Sequence, residues 1–402
     1  MALTPYITTD RAPSYLKDAA DKLLQLDAAL SENVPESLRA PMIHLQRQVS
    51  AYYSNRIEGN LATPGDVLRA QDDPAGDTRA LDLLEIRSHI EAQISLSIDP
   101  IEAAKISNRE SIARMHRELY RGVPEKHLRI NVEAGGQPIP LVPGEIRALE
   151  VRVGHHIPPF AEKIRSYLTW FEAAYRLDRL HGLAPLLAAA GAHHRFLWLH
   201  PFVDGNGRTG RLFTDVYLKA GGLKGYGLWS MSRGFGRHVD KYYGALKSAD
   251  HVRKGDLDGR GELSDSGLIR FTEYFITTAL EQARFVSTLL EPRTLNRRID
   301  HYFHMRQQSA FSKASGEALA ILRTEALQLY RTLLERGPMQ CSEIQARLGL
   351  GEFTARKLFG QMASEGLIAT DEDGQVSIRL PGHLIMTLFP NLFDSSHVPG
   401  GE

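Results

Sequence analysis

Residues 200–211 read HPFVDGNGRTGR, a run that sets imidazole, carboxylate, carboxamide and guanidinium groups among turn-forming glycines. His200 supplies an imidazole, a side-chain type that can serve as a general base at neutral pH. Asp204 is a hard oxygen ligand, fit for Mg²⁺ riding on phosphates. Small residues at Gly205, Asn206 and Gly207 let backbone N–H groups converge just where a helix begins near Arg208, an arrangement that binds anions. Arg208 and Arg211 share one face of that helix's first turn, where the dipole disfavours cations, so they imply an anionic partner. Gly205, Gly207 and Gly210 also spell G-x-G-x-x-G, but a dinucleotide site needs a preceding strand and an acidic residue about twenty positions later. The preceding LAPLLAAAGAHHRFLWL is helix-like, and GYGLWS near 225–230 holds no carboxylate. A plain turn with solvated arginines leaves the convergence of His200, Asp204, Asn206 and both arginines unexplained. The run reads as a phosphate nest with its own base.

A second stretch, SNRIEGN at 54–60, places Ser54 and Glu58 on one helical face at i,i+4 spacing. Glu58 falls in the last turn before the cap glycine Gly59, where the dipole disfavours a carboxylate. Such a group serves a partner outside the helix or is simply solvated.

The elements that must position these residues are mostly helices. PSYLKDAADKLLQLDAAL, MIHLQRQVSAYYSNRIEGN and TRALDLLEIRSHIEAQISL repeat apolar residues at three- and four-residue spacing. Residues 128–160 change texture: Gly and Pro clusters surround a β-like run, Leu149–Val153, which predicts one hairpin or flap set among helices. Helical character returns through AEKIRSYLTWFEAAYRL, DKYYGALKSAD and LIRFTEYFITTALEQARFVSTLL. The last third reads helix, helix, turn, helix and a two-strand wing, with Gly349 as turn glycine and DEDG at 371–374 as the hairpin turn.

Composition bounds the class. The chain has 402 residues, 43% hydrophobic and 24% charged, with 48 basic residues balancing 48 acidic ones, so a basic stripe for nucleic acid must be local. The single cysteine, Cys341, excludes an internal disulfide and a CxxC metal site and fits a reducing cytoplasm. No signal-peptide pattern is visible at the start, and LAPLLAAAGA is too short to span a bilayer. A cytoplasmic protein without membrane contact is the expectation.

HPFVDGNGRTGR resembles the Fic-domain motif H-P-F-x-[D/E]-G-N-G-R-x-x-R at every specified position, and the resemblance extends to PGEIRALEVRVGHHIPP upstream and DKYYGALKSAD downstream. It implies a protein adenylyltransferase that moves AMP from ATP to a Ser, Thr or Tyr hydroxyl of a target protein, and of itself. By resemblance His200 deprotonates the hydroxyl, and Asp204 holds Mg²⁺ or Mn²⁺ between the α- and β-phosphates. Gly205, Asn206 and Gly207 cradle the phosphates, with Asn206 near the α-phosphate. Thr209 and Gly210 belong to the same ATP-binding stretch, and Arg208 and Arg211 clamp the β- and γ-phosphates. Val153, Gly154, His155 and His156 of the flap line the nucleotide site, and the flap's edge pairs with an extended target segment. Tyr242 and Asp250 match positions flanking adenosine. Many members carry Asn at the latter, and helix-face packing is the other reading of Tyr242 and Tyr243. The family pattern treats His193 and His194 as helix residues, not zinc ligands.

The resemblance also covers the second stretch. Ser54, Glu58 and Gly59 match the inhibitory motif [S/T]-x-x-x-E-[G/N], whose glutamate binds the second motif arginine, here Arg211. A carboxylate and a γ-phosphate would then compete for one guanidinium fork. The expected fold is mainly α: an N-terminal helical region with the inhibitory motif (1–100), a Fic helical core with a β-hairpin flap (101–300) and a C-terminal winged helix-turn-helix (315–402). Rival functions are AMP removal, transfer of another nucleotide, or a DNA-binding regulator whose Fic domain senses nucleotide. EFTARKLFGQMASEG carries Arg356 and Lys357 but also Glu352 and Glu365, which favours protein docking or a homodimer over DNA.

Overall fold

The structure, a computed structural model, describes residues 3–72, 81–130, 137–154, 156–308, 311–312, 316 and 318–393. It divides into two compact units: Met1–Ala29, Ser50–Leu61 and Leu84–Arg284 form the first, and Leu30–Val49, Ala62–Leu83 and Phe285–Glu402 the second. The helices up to the flap are α1 (Ser14–Asn33), α2 (Glu36–Ile57), α3 (Pro64–Asp72), α4 (Leu81–Ile98) and α5 (Arg109–Leu119). After it come α6 (Ile164–Tyr175), α7 (Ala184–Leu199), α8 (Asn206–Ala220), α9 (Met231–Arg237), α10 (Val239–Asp250) and α11 (Asp265–Leu289).

The centre of the first unit is α7. Its residues from Leu186 to Phe196 are all buried, His193, His194 and Arg195 included, and a helix buried on every side belongs in the middle of a core. Small side chains let neighbours approach closely: a Cβ on Gly191 would lie 2.4 Å from the Pro5 carbonyl oxygen, and one on Gly210 of α8 3.0 Å from Leu197 and Phe196. Phe171, Phe196 and Phe213 fill the space between α6, α7 and α8, each buried aromatic adding roughly 2 kcal/mol of transfer free energy. In α5, Asn108 caps the first turn by accepting the Ser111 N–H, and Ile112, Met115, His116 and Leu119 face inward at helical spacing.

Residues 128–160 differ in detail from the alternation read in the sequence. The ladder there is β1 (Arg129–Ile130) against β2 (Ile139–Pro140), antiparallel. Leu149–Arg152 form no strand, and the flap tip closes on one pair, Val153 with His156, around Gly154 in the left-handed region. The physical reason is that a side chain, Arg147, takes the carbonyls of Leu149 and Pro159 that a ladder would otherwise use. Pro158 and Pro159 moreover have no N–H to give.

In the second unit, α12 (Pro292–Gln308) packs against α16 (Gly382–Leu388). A short pair, β3 (Phe311–Ser312) with β4 (Ala318–Leu319), follows α12. Then come α13 (Glu325–Arg336), β5 (Met339–Gln340), α14 (Cys341–Leu348), α15 (Glu352–Ser364), β6 (Ile368–Thr370) and β7 (Gln375–Ile378), with sheet order β5-β7-β6. Gly349, at φ 63°, ends α14 ahead of α15, and Gly374 donates to Asp371 in the turn joining β6 and β7. No helix among the described residues is long and apolar enough to cross a membrane.

Candidate active site

The loop 200–205 joins α7 to α8, and local chemistry fixes both ends. α7 stops because His200 adopts the left-handed conformation (φ 48°, ψ 62°), donating its N–H to the Phe196 carbonyl at 3.1 Å, and Pro201 follows. Asn206 staples the loop by two bonds to Phe202, accepting its N–H and donating to its carbonyl, each at 2.9 Å. Gly205 stands at the start of α8 with φ 73°, and a Cβ there would lie 2.4 Å from the Tyr120 hydroxyl, so only glycine fits. No side chain caps α8, and the first-turn N–H groups of a helix have no intrahelical acceptor. Thr209 turns inward and donates to the Gly205 carbonyl at 2.8 Å.

Arg211 is buried and bound on one side by α2. Its Nε donates to Ser54 Oγ at 2.9 Å, and its Nη2 donates to the Ser54 carbonyl at 2.8 Å and to Glu58 Oε1 at 2.5 Å. The end of α2 supplies this geometry through a Schellman cap: Asn60 donates to the Asn55 carbonyl and Gly59 to that of Arg56, with Gly59 at φ 89°. Burial disfavours the Arg211 charge, and the Glu58 carboxylate outweighs it, so its pKa is raised. Glu58 also lies over the nest itself, because a Cβ on Gly207 would sit 2.0 Å from Glu58 Oε1.

Arg208 has its own set of partners. Nη1 donates to Glu85 Oε1 of α4 at 2.8 Å, and Nη2 to the Tyr120 hydroxyl at 2.9 Å, with Asp204 Oδ2 at 3.5 Å. Burial opposes the charge, and Tyr120, Glu85 and Asp204 together raise its pKa. The Tyr120 hydroxyl donates in turn to Asp204 Oδ2 at 3.1 Å. Glu85 Oε2 accepts from Asn60 at 3.0 Å, so one carboxylate touches both Arg208 and the residue that follows the Glu58–Gly59 turn. His116 accepts the Gly144 N–H on Nδ1 at 2.7 Å, which puts its proton on Nε2, facing the Asp204 carbonyl at 3.1 Å. Its ring stacks on Phe202 at 3.9 Å. Asp204 itself is half-exposed at the mouth, and no group of three or more metal-ligating side chains occurs among the described residues.

The imidazole of His200 is half-buried and its pKa is pushed down to about 4, chiefly by burial. His156 and Arg147 add to the fall, while the Leu197 carbonyl and Glu58 oppose it. His200 is thus a neutral acceptor at pH 7. Of the flap residues, Val153 is exposed and His156 is tied through Nε2 to the Trp198 carbonyl at 2.8 Å, whereas His155 lies outside the described residues. Tyr242 is not at the surface: it is 1% exposed, with its hydroxyl 2.8 Å from His193 Nε2 and its ring stacked on Phe235. Its neighbour Tyr243 is the exposed one and donates to the Ile57 carbonyl at the end of α2. Asp250 pairs with His194 at 3.0 Å, and His193 is otherwise bound to Thr214, so both histidines have structural partners.

Four residues of this site were not singled out in the sequence: Glu85, His116, Tyr120 and Arg147. The i,i+4 pair His116 and Tyr120 on the inward face of α5 was a usable signal, since polar rings on an apolar face need partners. Glu85 and Arg147 gave none, as both look like ordinary surface charges.

Residues 106–218 match the model of the Fic/DOC family. The chain is 28% identical over 272 residues to protein adenylyltransferase Fic of Nematostella vectensis, covering 64% of this chain and 58% of that protein. It is 32% identical over 208 residues to the protein of the same name in Drosophila erecta, covering 51% and 37%. The chain thus spans about half the length of the curated relatives it matches. The fold is similar to that of a Fic family protein from Desulfovibrio desulfuricans G20, with TM-score 0.52 and 17% identity over 94% of this chain and 98% of the other.

Proposed function

From a Fic domain at residues 106–218, we propose that this protein transfers AMP from ATP to a hydroxyl side chain of a target protein and is held inactive by its own Glu58. The target hydroxyl gives its proton to neutral His200, its oxygen bonds to Pα, and the Pα–O–Pβ bond breaks to release pyrophosphate. The first-turn amides of α8 with Arg208 and Arg211 stabilise the charge that spreads over the leaving group. Asp204, a lone half-exposed carboxylate, fits a divalent cation held mainly by phosphate oxygens. Bound there, Mg²⁺ would supply further charge neutralisation.

The observation that carries the reading is Glu58 seated on Arg211 and over Gly207, where an internal carboxylate takes the place of an anion. The test is label transfer from ATP carrying a labelled α-phosphate. Glu58→Gly is expected to label itself and lysate proteins at least about tenfold more than wild type, the order expected when a tight competing ion pair is removed. His200→Ala in that background should abolish the label. No gain with Glu58→Gly would sink the autoinhibition, and label retained without His200 would remove it as the base. A +AMP adduct found by mass spectrometry on Ser, Thr or Tyr identifies the group and the target; loss of a pre-formed adduct instead would favour AMP removal.

The single cysteine supports a cytoplasmic setting. The order helix, strand, helix, helix, strand, strand supports reading 315–402 as a winged helix that docks a protein or a second copy. Mixed charge on α15 speaks against DNA.

A further inference from the structure

We propose that Arg147 is the positioning residue that fixes the flap against His200, so that a hydroxyl held along the flap meets its base. The inference rests on the transfer reading above and assigns it a residue outside the phosphate nest. The Arg147 side chain is 0% exposed, and its nearest carboxylate, on Glu150, is 3.8 Å away and mostly solvated. A guanidinium taken out of water must spend its donors on good acceptors. Here each of its three nitrogens donates to a backbone carbonyl: Nε to that of His200 at 2.8 Å, Nη1 to that of Leu149 at 3.0 Å and Nη2 to that of Pro159 at 2.6 Å. The Arg147 N–H also donates to the Pro201 carbonyl at 2.9 Å.

These acceptors belong to different segments. His200 and Pro201 end α7, Leu149 lies on the arm entering the flap tip at 153–156, and Pro159 lies on the arm leaving it. Neither arm forms a strand here, and prolines at 158 and 159 bring no N–H with which to make one. A single planar fork therefore does the work of a ladder. His200 is in addition one of two non-glycine residues with positive φ among those described, a conformation costing roughly 1–2 kcal/mol that the surroundings must impose. A bond to its carbonyl from the residue that also holds both flap arms sets flap and imidazole in one frame. Lysine, a point charge, cannot span three carbonyls at once.

Arg147→Lys and Arg147→Met are made in the Glu58→Gly protein. Both are expected to lower kcat for self-labelling about 100-fold, the loss that roughly 1 Å of misplacement brings. The KM for ATP should stay within about threefold, because the nest at 204–211 holds the nucleotide by its own groups. Amide exchange at Val153 and His156 should accelerate at least about tenfold in both variants. Leu187→Ala, a core change away from the flap, serves as the stability-matched control. Retention of more than half the parental kcat in either variant overturns the proposal. So does a loss that appears in the KM for ATP with flap exchange unchanged, or one that Leu187→Ala reproduces at equal melting temperature. Failure of the Glu58→Gly parent to label would refute the transfer reading instead, while flap exchange would still judge Arg147.

Discussion

Gly207→Ala is expected to destabilise this protein while Glu58 is present and to stabilise it once Glu58 is gone. A Cβ on Gly207 would lie 2.0 Å from Glu58 Oε1, 2.8 Å from its Cδ and 3.2 Å from Arg211 Nη1. No carboxylate stays at 2.0 Å from carbon, and the clashing atoms are the far end of a flexible side chain. Glu58 must therefore swing away from Arg211. Arg211 is 2% exposed and Glu58 38%, which places the pair between a surface contact worth under about 1 kcal/mol and a buried one whose breaking costs about 3–5 kcal/mol. Ser54 continues to accept two of the guanidinium bonds, so a loss near 2 kcal/mol is the reasoned value. In a Glu58→Ala background the clash with the carboxylate is absent, and only Arg211 Nη1, the far end of a side chain at 3.2 Å, has to give by a few tenths of an ångström. Gly207 lies within the first turn of α8, and alanine there adds up to about 1 kcal/mol by restricting the unfolded chain. The two effects have opposite signs, and the double-mutant cycle should show a coupling of about 2–3 kcal/mol. Urea unfolding followed by tryptophan fluorescence measures it, since Trp170, Trp198 and Trp229 all lie in the first unit. Equal effects of Gly207→Ala in both backgrounds, within about 0.5 kcal/mol, would refute the seating of Glu58 over the nest.

Two further outcomes follow from the same geometry. Glu85→Gln should tighten ATP binding about fivefold by titration calorimetry, the equivalent of about 1 kcal/mol, as the largely buried pair no longer holds Arg208; weaker binding would mean that Glu85 orients Arg208 instead of competing for it. Stability should fall as the pH drops below 6.5, because burial holds His116 down to about 4 and His89 to about 3, so the unfolded chain takes up protons first. Their contribution is complete above pH 6.5 and is lost as the pH falls to the folded values, with His116 alone accounting for roughly 3 kcal/mol. Unfolding midpoints that stay flat from pH 7 to 4.5 would contradict this.

What the sequence could disclose depended on how local the determining bonds are. The nest at 200–211 was readable because twelve adjacent residues build it: the Asn206 staple, the left-handed Gly205 and the uncapped start of α8 all lie within that stretch. Ser54 and Glu58 were readable as a pair because helical spacing alone puts them on one face, although only their partner Arg211 makes the carboxylate at a helix end intelligible. The flap was harder. Leu149–Val153 alternates like a strand, yet its backbone is served by a buried arginine, and a side chain bonding to carbonyls leaves no periodic trace. Glu85 was hidden for a related reason. On α4 it is indistinguishable in type and spacing from a solvated charge, and its meaning comes from Arg208, more than a hundred positions away. The site also puts one residue type to two uses. Arg211 and Arg208 are bound by carboxylates that a phosphate could displace, whereas Arg147 is bound by carbonyls that nothing can displace without moving the chain. Arginines of the first kind can exchange partners during a reaction, and an arginine of the second kind can only hold the frame in which the exchange takes place.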